Sequence, residues 1–451
     1  MLDRESELIV IGGGLAGCEA AWQAATRGVS VTLYEMRPAF NTGAHRTPFL
    51  AELVCSNSLG SNLIDRAAGL LKEELRRLNS MLLECAENTA VPAGGALAVD
   101  RDAFALMVSD RVESHPSITV KRQEVKEIPN IPTIVASGPL TSPNLSQAIS
   151  ELTGSNNLYF YDAVAPIVSY NSIDMDIAFR SSRFGKGALE IGDYINCPMS
   201  HNEYSDFIYE LMNAERAELK GFERSIELGV KAGDHKYFEA CLPIEVMANR
   251  GAETLAFGPM RPIGLVDPRT GKRPYAVVQL RQDNLAATLY NLVGFQTNLT
   301  ISEQERVFKM IPGLGNADFV RYGQMHRNTF IFSPECLKPT LQYRGRDDLF
   351  FAGQITGVEG YMGNIASGLL AGINAVRILS KNPPLTFPTQ TMLGALFHYI
   401  THASRSDFQP MKANYGLLIP PIERKRSQTK HDQAMIYFDR SVKELNNYLN
   451  L

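Results

Sequence analysis

Three glycines near the start of the chain have the spacing Gly12-x-Gly14-x-x-Gly17 and directly follow an apolar stretch. In this arrangement Gly12 permits a tight turn, Gly14 lets a phosphate approach the backbone, and Gly17 lets the following helix pack closely on the strand. The start of that helix directs N–H groups and its positive dipole end at the phosphates. The residues predicted to bind the ligand here are Gly12, Gly13, Gly14, Leu15, Ala16 and Gly17.

A second apolar stretch, residues 29–34, ends at Glu35. A carboxylate at the end of the second strand accepts hydrogen bonds from ribose hydroxyls, which favours an unphosphorylated adenosine ribose, as in FAD or NAD. If the glycines formed only a helix-capping turn, the position of an acid, Glu35, at the end of the second strand would be unexplained. The order of strand, turn, helix, strand and acid therefore predicts a dinucleotide-binding fold.

A second glycine-rich segment lies far along the chain. Residues 347–354 predict a strand, residues 355–361 a loop, and a helix rich in small residues begins at Asn364. A second cofactor-binding segment favours FAD over NAD, because a flavin ring needs a binding site of its own. No second G-x-G-x-x-G follows a predicted strand, so we expect NAD(P)H to reach the flavin only transiently. The predicted cofactor-binding residues are Gly353, Gln354, Gly357, Glu359, Gly360 and Tyr361.

The composition is that of an ordinary globular protein with reduced thiols. Hydrophobic residues make up 45% and charged residues 20%, and the net charge of −4 argues against wholesale nonspecific nucleic-acid binding without excluding a local basic surface. The six cysteines are scattered without a C-x-x-C pair, which predicts a cytoplasmic protein without a zinc site. We find no export signal and no membrane-spanning segment, so no membrane partner is expected.

These elements predict an α/β fold with a two-dinucleotide-type (Rossmann-like) FAD-binding domain assembled from both ends of the chain. Its first part covers 1–165, an inserted α/β domain covers 166–315, and its second part with a C-terminal helical tail covers 316–451. Leucines at 71, 75, 78 and 82 have helical spacing and predict a helix with Lys72, Arg76 and Arg77 on its opposite side. This basic side is predicted to be a solvated face, with RNA contact as the alternative. A short basic run near the end, formed by Arg424, Lys425, Arg426 and Lys430, is predicted to be a solvated tail, with RNA contact as the alternative.

Over nearly its whole length the chain resembles the bacterial folate- and FAD-dependent tRNA (uracil-5-)-methyltransferases, which are flavoproteins related to glucose-inhibited division protein A. Ser137 stands where this family usually has Thr, and the hydroxyl is kept. The matching stretches are GGGLAG at 12–17, EMRP at 35–38, LVCSNS at 53–58, CLPIE at 241–245, QLRQDN at 279–284, HRNT at 326–329 and GQITGVEGY at 353–361.

The resemblance implies that 5,10-methylenetetrahydrofolate supplies a one-carbon unit to C5 of the T-loop uridine of tRNA. FAD reduced by NAD(P)H supplies the reducing equivalents that turn methylene into methyl. Uracil C5 is a poor nucleophile until a group adds at C6, and a thiolate adds there reversibly. The two functional cysteines of the family correspond to Cys55 and Cys241; which of them attacks C6, and which acts as acid, base or carrier, stays open.

Basic residues are candidates for substrate binding, because guanidinium groups bind oxyanions in bidentate geometry. Arg281, His326 and Arg327 are predicted to contact folate carboxylates or RNA phosphates, with ordinary ion pairs as the alternative. Tyr361 is predicted to stack on the pterin or the uracil, with a packing role as the alternative. No metal is expected.

Three other functions compete with methyl transfer. A related flavoprotein modifies the wobble uridine of tRNA, but it is longer, with an extra helical C-terminal region. A flavin-linked thiol oxidoreductase would need Cys55 and Cys241 to meet through the fold. A tRNA-binding flavoprotein that acts without catalysis would not need the cysteines at all.

Overall fold

A computed structural model describes residues 7–40, 42, 44–154, 158–217, 242–405, 407–420 and 429–449, and of residues 158–163 and 325–327 it describes the backbone alone. The strands are β1 Glu7–Ile11, β2 Ser30–Glu35, β3 Ser58–Ser61, β4 Ala90–Val91, β5 Ala96–Val99, β6 Ile118–Arg122, β7 Thr133–Val135, β8 Leu158–Ala163, β9 Ile167–Ser169, β10 Phe179–Ser181, β11 Tyr194–Met199, β12 Ala276–Gln282, β13 Leu289–Leu292, β14 Phe319–Arg321, β15 Met325–Phe330, β16 Gln342–Tyr343 and β17 Arg346–Phe351. The α-helices are α1 Leu15–Ala25, α2 Ala67–Arg77, α3 Met81–Asn88, α4 Arg101–Glu113, α5 Pro143–Thr153, α6 His201–Asn213, α7 Ile244–Ala248, α8 Thr254–Phe257, α9 Ile301–Phe308, α10 Ser333–Cys336, α11 Tyr361–Leu379, α12 Met392–His402 and α13 Lys430–Leu449.

The first sheet has the strand order β16-β17-β7-β1-β2-β6. Strands β17, β7, β1, β2 and β6 are parallel to their neighbours, and β16 joins the edge in the antiparallel direction. Because β17 pairs with β7 although some 200 residues separate them, both ends of the chain build this sheet. The predicted Rossmann-like fold is confirmed.

Both faces of the first sheet are buried, as expected of parallel strands. In β1, Leu8 and Val10 join the core formed with α1 and α11, whereas Ile9 and Ile11 join a second core that contains Ile149 and nearby apolar residues. This double burial explains why β1 reads as a continuous apolar run.

Helices α1 and α11 cross at van der Waals distance on one face of this sheet. A Cβ atom added at Gly368 would lie 2.1 Å from the Ala16 carbonyl oxygen, and one at Gly372 would lie 2.6 Å from that of Ala20. Helix α11 is long and apolar enough to cross a membrane. However, 83% of its apolar stretch is buried inside the protein, as in a core helix.

The second sheet is antiparallel, with the order β10-β11-β12-β13-β9-β14. One face packs on α6, α7 and α9 through Val278, Leu280 and their neighbours. Residues of the other face, such as Asn196 and Gln279, are polar and buried. Strands β8 and β15 pair with each other and lead into and out of this unit. The paired strands of the second sheet extend from residue 167 to residue 321, and the domain limits at 165 and 315 stay a prediction.

The predicted single helix through Leu71 and Leu82 is wrong. The chain forms α2 and α3 with a break at Asn79, where φ is +56°. Lys72 is not solvated either: it is fully buried, and its ammonium donates to the carbonyl oxygens of Gly60 (3.2 Å) and Ser61 (2.8 Å). A lysine is stable in the interior when such acceptors compensate for the lost water.

Replacing Gly368 with Ala is expected to destabilise the protein. Ala is normally favoured over Gly inside a helix by about 1 kcal/mol, but here the methyl group would collide with Ala16 and cost about 1–3 kcal/mol. The midpoint of urea unfolding measures the effect. Gly315→Ala is the control, because a Cβ there meets only the Lys309 carbonyl oxygen at 3.9 Å. A Gly368→Ala protein as stable as the native one would contradict the close contact.

Candidate active site

A cavity of about 330 Å³ lies at the carboxyl ends of β1 and β7. Parallel sheets bind ligands at this edge. Of the described residues that were predicted to bind or react, Gly13, Gly17, Gly357 and Arg281 are not in its lining. The predicted residues that line it are Gly12, Gly14, Leu15, Ala16, Glu35, Cys55, Gly353, Gln354, Glu359, Gly360 and Tyr361.

The glycine turn leaves open space in front of Gly14. A Cβ added at Gly14 meets nothing within 4 Å, whereas one at Gly17 would lie 1.8 Å from the Gly12 carbonyl oxygen. Gly14 is also the N-cap of α1 and provides no side chain to cap the helix. A diphosphate fits this open, N–H-lined space, because the first N–H groups of a helix lack partners within the helix.

Glu35 ends β2 with its carboxylate buried beside this turn. Oε2 accepts the Gly13 N–H (3.0 Å), and Oε1 accepts both the backbone N–H and the Nε of Arg37 (2.9 Å each). Burial raises the pKa of Glu35, but the hydrogen bonds and charge of Arg37 outweigh it and leave the pKa below its ordinary value. A carboxylate has about four acceptor positions, so Oε2 can still accept a ribose hydroxyl.

The second glycine-rich loop is held from two sides. The Gly353 N–H donates to Ser367 Oγ (2.7 Å) on α11. On the other side, the Glu359 N–H donates to the Met411 carbonyl (2.8 Å), and the Met411 N–H donates to the Gly357 carbonyl (2.9 Å). Gln354 Nε2 donates to Glu359 Oε1 (2.8 Å). Contact of Glu359 with the flavin stays a prediction.

Two asparagines that line the cavity were not predicted from the sequence. Asn328 Nδ2 and Asn364 Oδ1 are buried, and neither has a hydrogen-bond partner among the described residues. Buried polar groups without a partner are rare in native proteins and point to a bound polar group. A flavin fits, because its ring edge and ribityl chain carry both donors and acceptors. The only sequence signals were the position of Asn364 at the start of the small-residue helix and that of Asn328 within 326–329.

The hydroxyl of Tyr361 holds the loop that carries Cys55. Tyr361 Oη accepts the N–H of Cys55 (3.0 Å) and that of Ser56 (3.1 Å). Burial, together with the neighbouring Cys55, raises the pKa of Tyr361 above its ordinary value, so the phenol stays protonated. Cys55 itself is half-buried at the wall of the cavity. Tyr361, the first residue of α11, thus joins the second glycine-rich loop to residues 53–57, here called the cysteine loop.

Two buried arginines bind the backbone just before Cys55. Arg101, at the start of α4, donates to the Leu53 carbonyl (2.9 Å) and forms an ion pair with Asp283 (3.1 Å). Arg321, at the end of β14, donates to the Val54 carbonyl (2.7 Å). Burial and the nearby Arg101 lower the pKa of Arg321 to about 10, so it stays charged at neutral pH.

A third arginine, Arg281 on β12, binds the residues just after Cys55. Its Nη2 donates to Ser56 Oγ (2.8 Å) and its Nε donates to Asn57 Oδ1 (2.9 Å). The side chain is buried, which lowers its pKa. The structure therefore places Arg281 against the cysteine loop, and its contact with substrate stays a prediction.

The remaining predicted residues lie outside the described residues or on other elements. Cys241 lies outside them, as do Arg424, Lys425 and Arg426 of the basic run, whereas Lys430 begins α13. His326 and Arg327 are described by backbone alone, on β15 next to Asn328. Across the described part of the chain, no three His, Cys, Asp or Glu side chains come together in a way that could hold a metal ion.

The parallel sheet, the open phosphate turn, the buried acid and the second anchoring loop define a flavoprotein with an FAD-type dinucleotide fold. The profile of the glucose inhibited division protein A family matches residues 7–383. The chain belongs to this family.

Curated relatives narrow the assignment. Proteins from Enterococcus faecalis, Natranaerobius thermophilus and Anoxybacillus flavithermus are 56%, 58% and 54% identical over 95%, 93% and 98% of this chain and 96%, 94% and 99% of their own length. Each is named methylenetetrahydrofolate--tRNA-(uracil-5-)-methyltransferase. The resemblance that the sequence motifs indicated is confirmed.

Solved structures agree on the fold. Two crystal forms of GidA from Aquifex aeolicus each superpose with a TM-score of 0.69, at 15% and 16% identity, over 98% of this chain. They match 73% and 75% of the GidA chain.

Replacing Gly14 with Ala is expected to weaken FAD binding without weakening the fold. The backbone of Gly14 (φ −80°) suits Ala, and the methyl group would enter the space in front of the turn. Loss of one hydrogen bond to a charged group costs about 1.5–3 kcal/mol, or roughly tenfold or more in affinity. Titration of the apoprotein with FAD measures this. Gly17→Ala should instead lower folding stability, and unchanged FAD affinity in Gly14→Ala would refute the phosphate site.

Proposed function

We propose that this chain transfers the one-carbon unit of 5,10-methylenetetrahydrofolate to C5 of the T-loop uridine of tRNA, giving 5-methyluridine. The observation that carries the proposal is the cysteine loop, which Tyr361 and three buried arginines hold at the wall of an FAD-type cavity. The names of the relatives support the same reaction.

FAD fits the cavity: the glycine turn would hold its diphosphate and Glu35 its ribose. Loop 353–361, Asn328 and Asn364 would offer hydrogen bonds to the flavin ring and ribityl chain. When bound and reduced by NAD(P)H, FAD supplies the reducing equivalents that turn the transferred methylene into a methyl group.

The cysteines supply the covalent chemistry on the uracil. One thiolate adds to C6, and the electron pair of the C5=C6 double bond moves to C5, which then bonds to the one-carbon unit. The proton on C5 is removed as tetrahydrofolate leaves with the electron pair of its bond to the one-carbon unit, which gives an exocyclic methylene at C5. Two electrons and a proton, the reducing equivalents that bound and reduced FAD would supply, convert this methylene into the methyl group. The thiolate leaves C6 in the same step, and the C5=C6 double bond is restored. Cys55 and Cys241 divide the roles of nucleophile and of acid, base or carrier.

Positive side chains bind the anionic substrates. We propose that His326 and Arg327, on the strand that contributes Asn328 to the cavity, contact folate carboxylates or RNA phosphates. Arg281 adds its positive charge to the same region while it holds Ser56 and Asn57. The cleft between the FAD domain, 1–165 with 316–451, and the inserted domain, 166–315, would hold folate and uridine. The reaction would take place in the cytoplasm, where thiols stay reduced.

The reaction is tested with purified protein, unmodified tRNA transcript, NAD(P)H and methylenetetrahydrofolate labelled in its one-carbon unit, without S-adenosylmethionine. Label is expected in 5-methyluridine and is expected to disappear when folate is omitted. A flavin-loaded protein that transfers no label would refute the proposal and favour the wobble-uridine or thiol-redox alternatives.

Cys55→Ala and Cys241→Ala are each expected to abolish methyl transfer while FAD stays bound, because each removes a thiol that the reaction needs. Transcript containing 5-fluorouridine separates their roles, since fluorine at C5 blocks the proton loss that releases the enzyme. The variant that lacks the nucleophile should form no covalent RNA adduct. Cys336→Ala is the control, since Cys336 lies on α10 outside the cavity lining. Full activity of Cys55→Ala or of Cys241→Ala would refute the catalytic role assigned to that cysteine.

Tyr361→Phe is expected to slow methyl transfer on the order of 10²-fold, because a small misplacement of a reacting group has that effect. The change removes the acceptor of two N–H groups in the cysteine loop. Single-turnover rates measure the effect, and flavin absorbance checks that FAD is retained. Tyr343→Phe is the matched control, because its hydroxyl donates to the Leu152 carbonyl, outside the cavity lining. A native rate in Tyr361→Phe would contradict the positioning role.

A further inference from the structure

An exposed phenylalanine with a left-handed backbone conformation lies in the unit built on the second sheet. Phe184 lies between β10 and β11, is 68% exposed and has φ +57° and ψ 25°. This conformation is unfavourable for a bulky residue, and such strain persists where the surrounding structure enforces it, often at binding sites. A large apolar ring in water adds a second cost.

The surrounding loop holds Phe184 in place. The Phe184 N–H donates to the Gly264 carbonyl (2.9 Å), and its ring covers Gly264, where an added Cβ would lie within 3.0 Å of ring atoms. Farther along the loop, the buried carboxylate of Asp193 accepts the N–H groups of Ala188 (3.0 Å) and Leu189 (2.9 Å). The exposed ring is therefore part of an ordered surface.

Two arginines lie on the segments that meet at Phe184: Arg183 directly precedes it, and Arg261 lies three residues before Gly264. Arg183 donates from Nε to Gln279 Oε1 (3.0 Å) and from Nη1 to the Ile263 carbonyl (2.8 Å). The Ile263 carbonyl that Arg183 binds lies two residues after Arg261, which places both arginines in the same region of the surface. Burial and the charge of Arg261 both lower the pKa of Arg183. Among the described residues, no carboxylate forms an ion pair with either arginine. Neighbouring cations without a counter-charge are suited to bind an oxyanion.

This surface connects directly to the cysteine loop. Gln279, which holds Arg183, and Arg281, which holds Ser56, lie on the same polar face of β12. Positions two residues apart on a strand are separated by about 7 Å. Arg183 therefore lies on the same side of the second sheet as the cysteine loop, within reach of nucleotides that flank a base held at the cavity.

We propose that Arg183, Phe184 and Arg261, here called the basic aromatic patch, bind the RNA strand that flanks the target uridine. The guanidinium groups bind phosphates, and the Phe184 ring stacks on an unpaired base, as in single-stranded RNA recognition. The carboxylates of a folate tail offer nothing for an exposed aromatic ring to stack on, which favours RNA. The position of the target uridine rests on the proposed function.

Binding of unmodified tRNA transcript to the FAD-loaded protein, without folate or NAD(P)H, tests the patch. Phe184→Asn and Arg261→Ala are expected to weaken binding about tenfold each, and Arg261→Ala should lower the slope of log affinity against log salt by about one. Asn tolerates the left-handed conformation, so Phe184→Asn should melt no lower than the native protein. Tyr209→Ala and Arg216→Ala are matched controls, since Tyr209 is also 68% exposed and both residues lie on or just after α6, which covers the opposite face of the sheet.

Native RNA affinity in both patch variants would overturn the proposal, as would an equal loss of affinity in the controls. A lowered melting temperature of Phe184→Asn in parallel with lost binding would assign the ring a structural role instead. A raised KM for methylenetetrahydrofolate with unchanged RNA affinity would assign the patch to the folate tail. A native protein that binds RNA through the patch but transfers no methyl group would refute the proposed function alone.

Discussion

The close contact between helices α1 and α11 determines the geometry of the cavity. Gly368 and Gly372 let the two helices approach to backbone contact with Ala16 and Ala20. Helix α1 begins at the phosphate turn and α11 begins at Tyr361, so this contact sets the distance between the two ends of the dinucleotide site. Since Tyr361 also binds the backbone of Cys55 and Ser56, the same contact positions the cysteine loop. A change in the crossing of α1 and α11 would therefore move the phosphate turn, Tyr361 and the cysteine loop together.

Charge and burial together hold the cysteine loop. Burying a cation is costly unless hydrogen bonds or an opposite charge compensate for the lost water. Arg101 binds the Asp283 carboxylate and the Leu53 carbonyl of the loop, and Arg321 and Arg281 bind other oxygen atoms of the loop. The loop carbonyls are therefore needed to stabilise the cations, and the cations fix the loop. Arg101 begins α4 and Arg281 lies on β12 of the second sheet, so the loop also joins α4 to that sheet.

Alternate side chains of β12 in the second sheet face opposite sides and have different roles. Leu280 and Val278 of β12 pack on the helices, whereas Gln279 and Arg281 face the cysteine loop and the basic aromatic patch. A single strand thereby links the apolar core that stabilises the domain to polar groups that position the reactive loop. The alternation also explains why buried polar residues are concentrated on this face.

The sequence by itself determined the parts of the protein that follow local backbone rules. The spacing of Gly12, Gly14 and Gly17, the acid at Glu35 and the loop before α11 predicted the dinucleotide fold, because turns, strand ends and helix starts depend on neighbouring residues. The motif around Cys55 likewise indicated the family. Only the tertiary structure showed that Arg101, Arg281 and Arg321 converge on one loop, since their partners are from about 50 to more than 260 residues away. It also decided the burial of Lys72, and it left Asn328 Nδ2 and Asn364 Oδ1 without a partner among the described residues, because burial and hydrogen bonding depend on what the fold brings near.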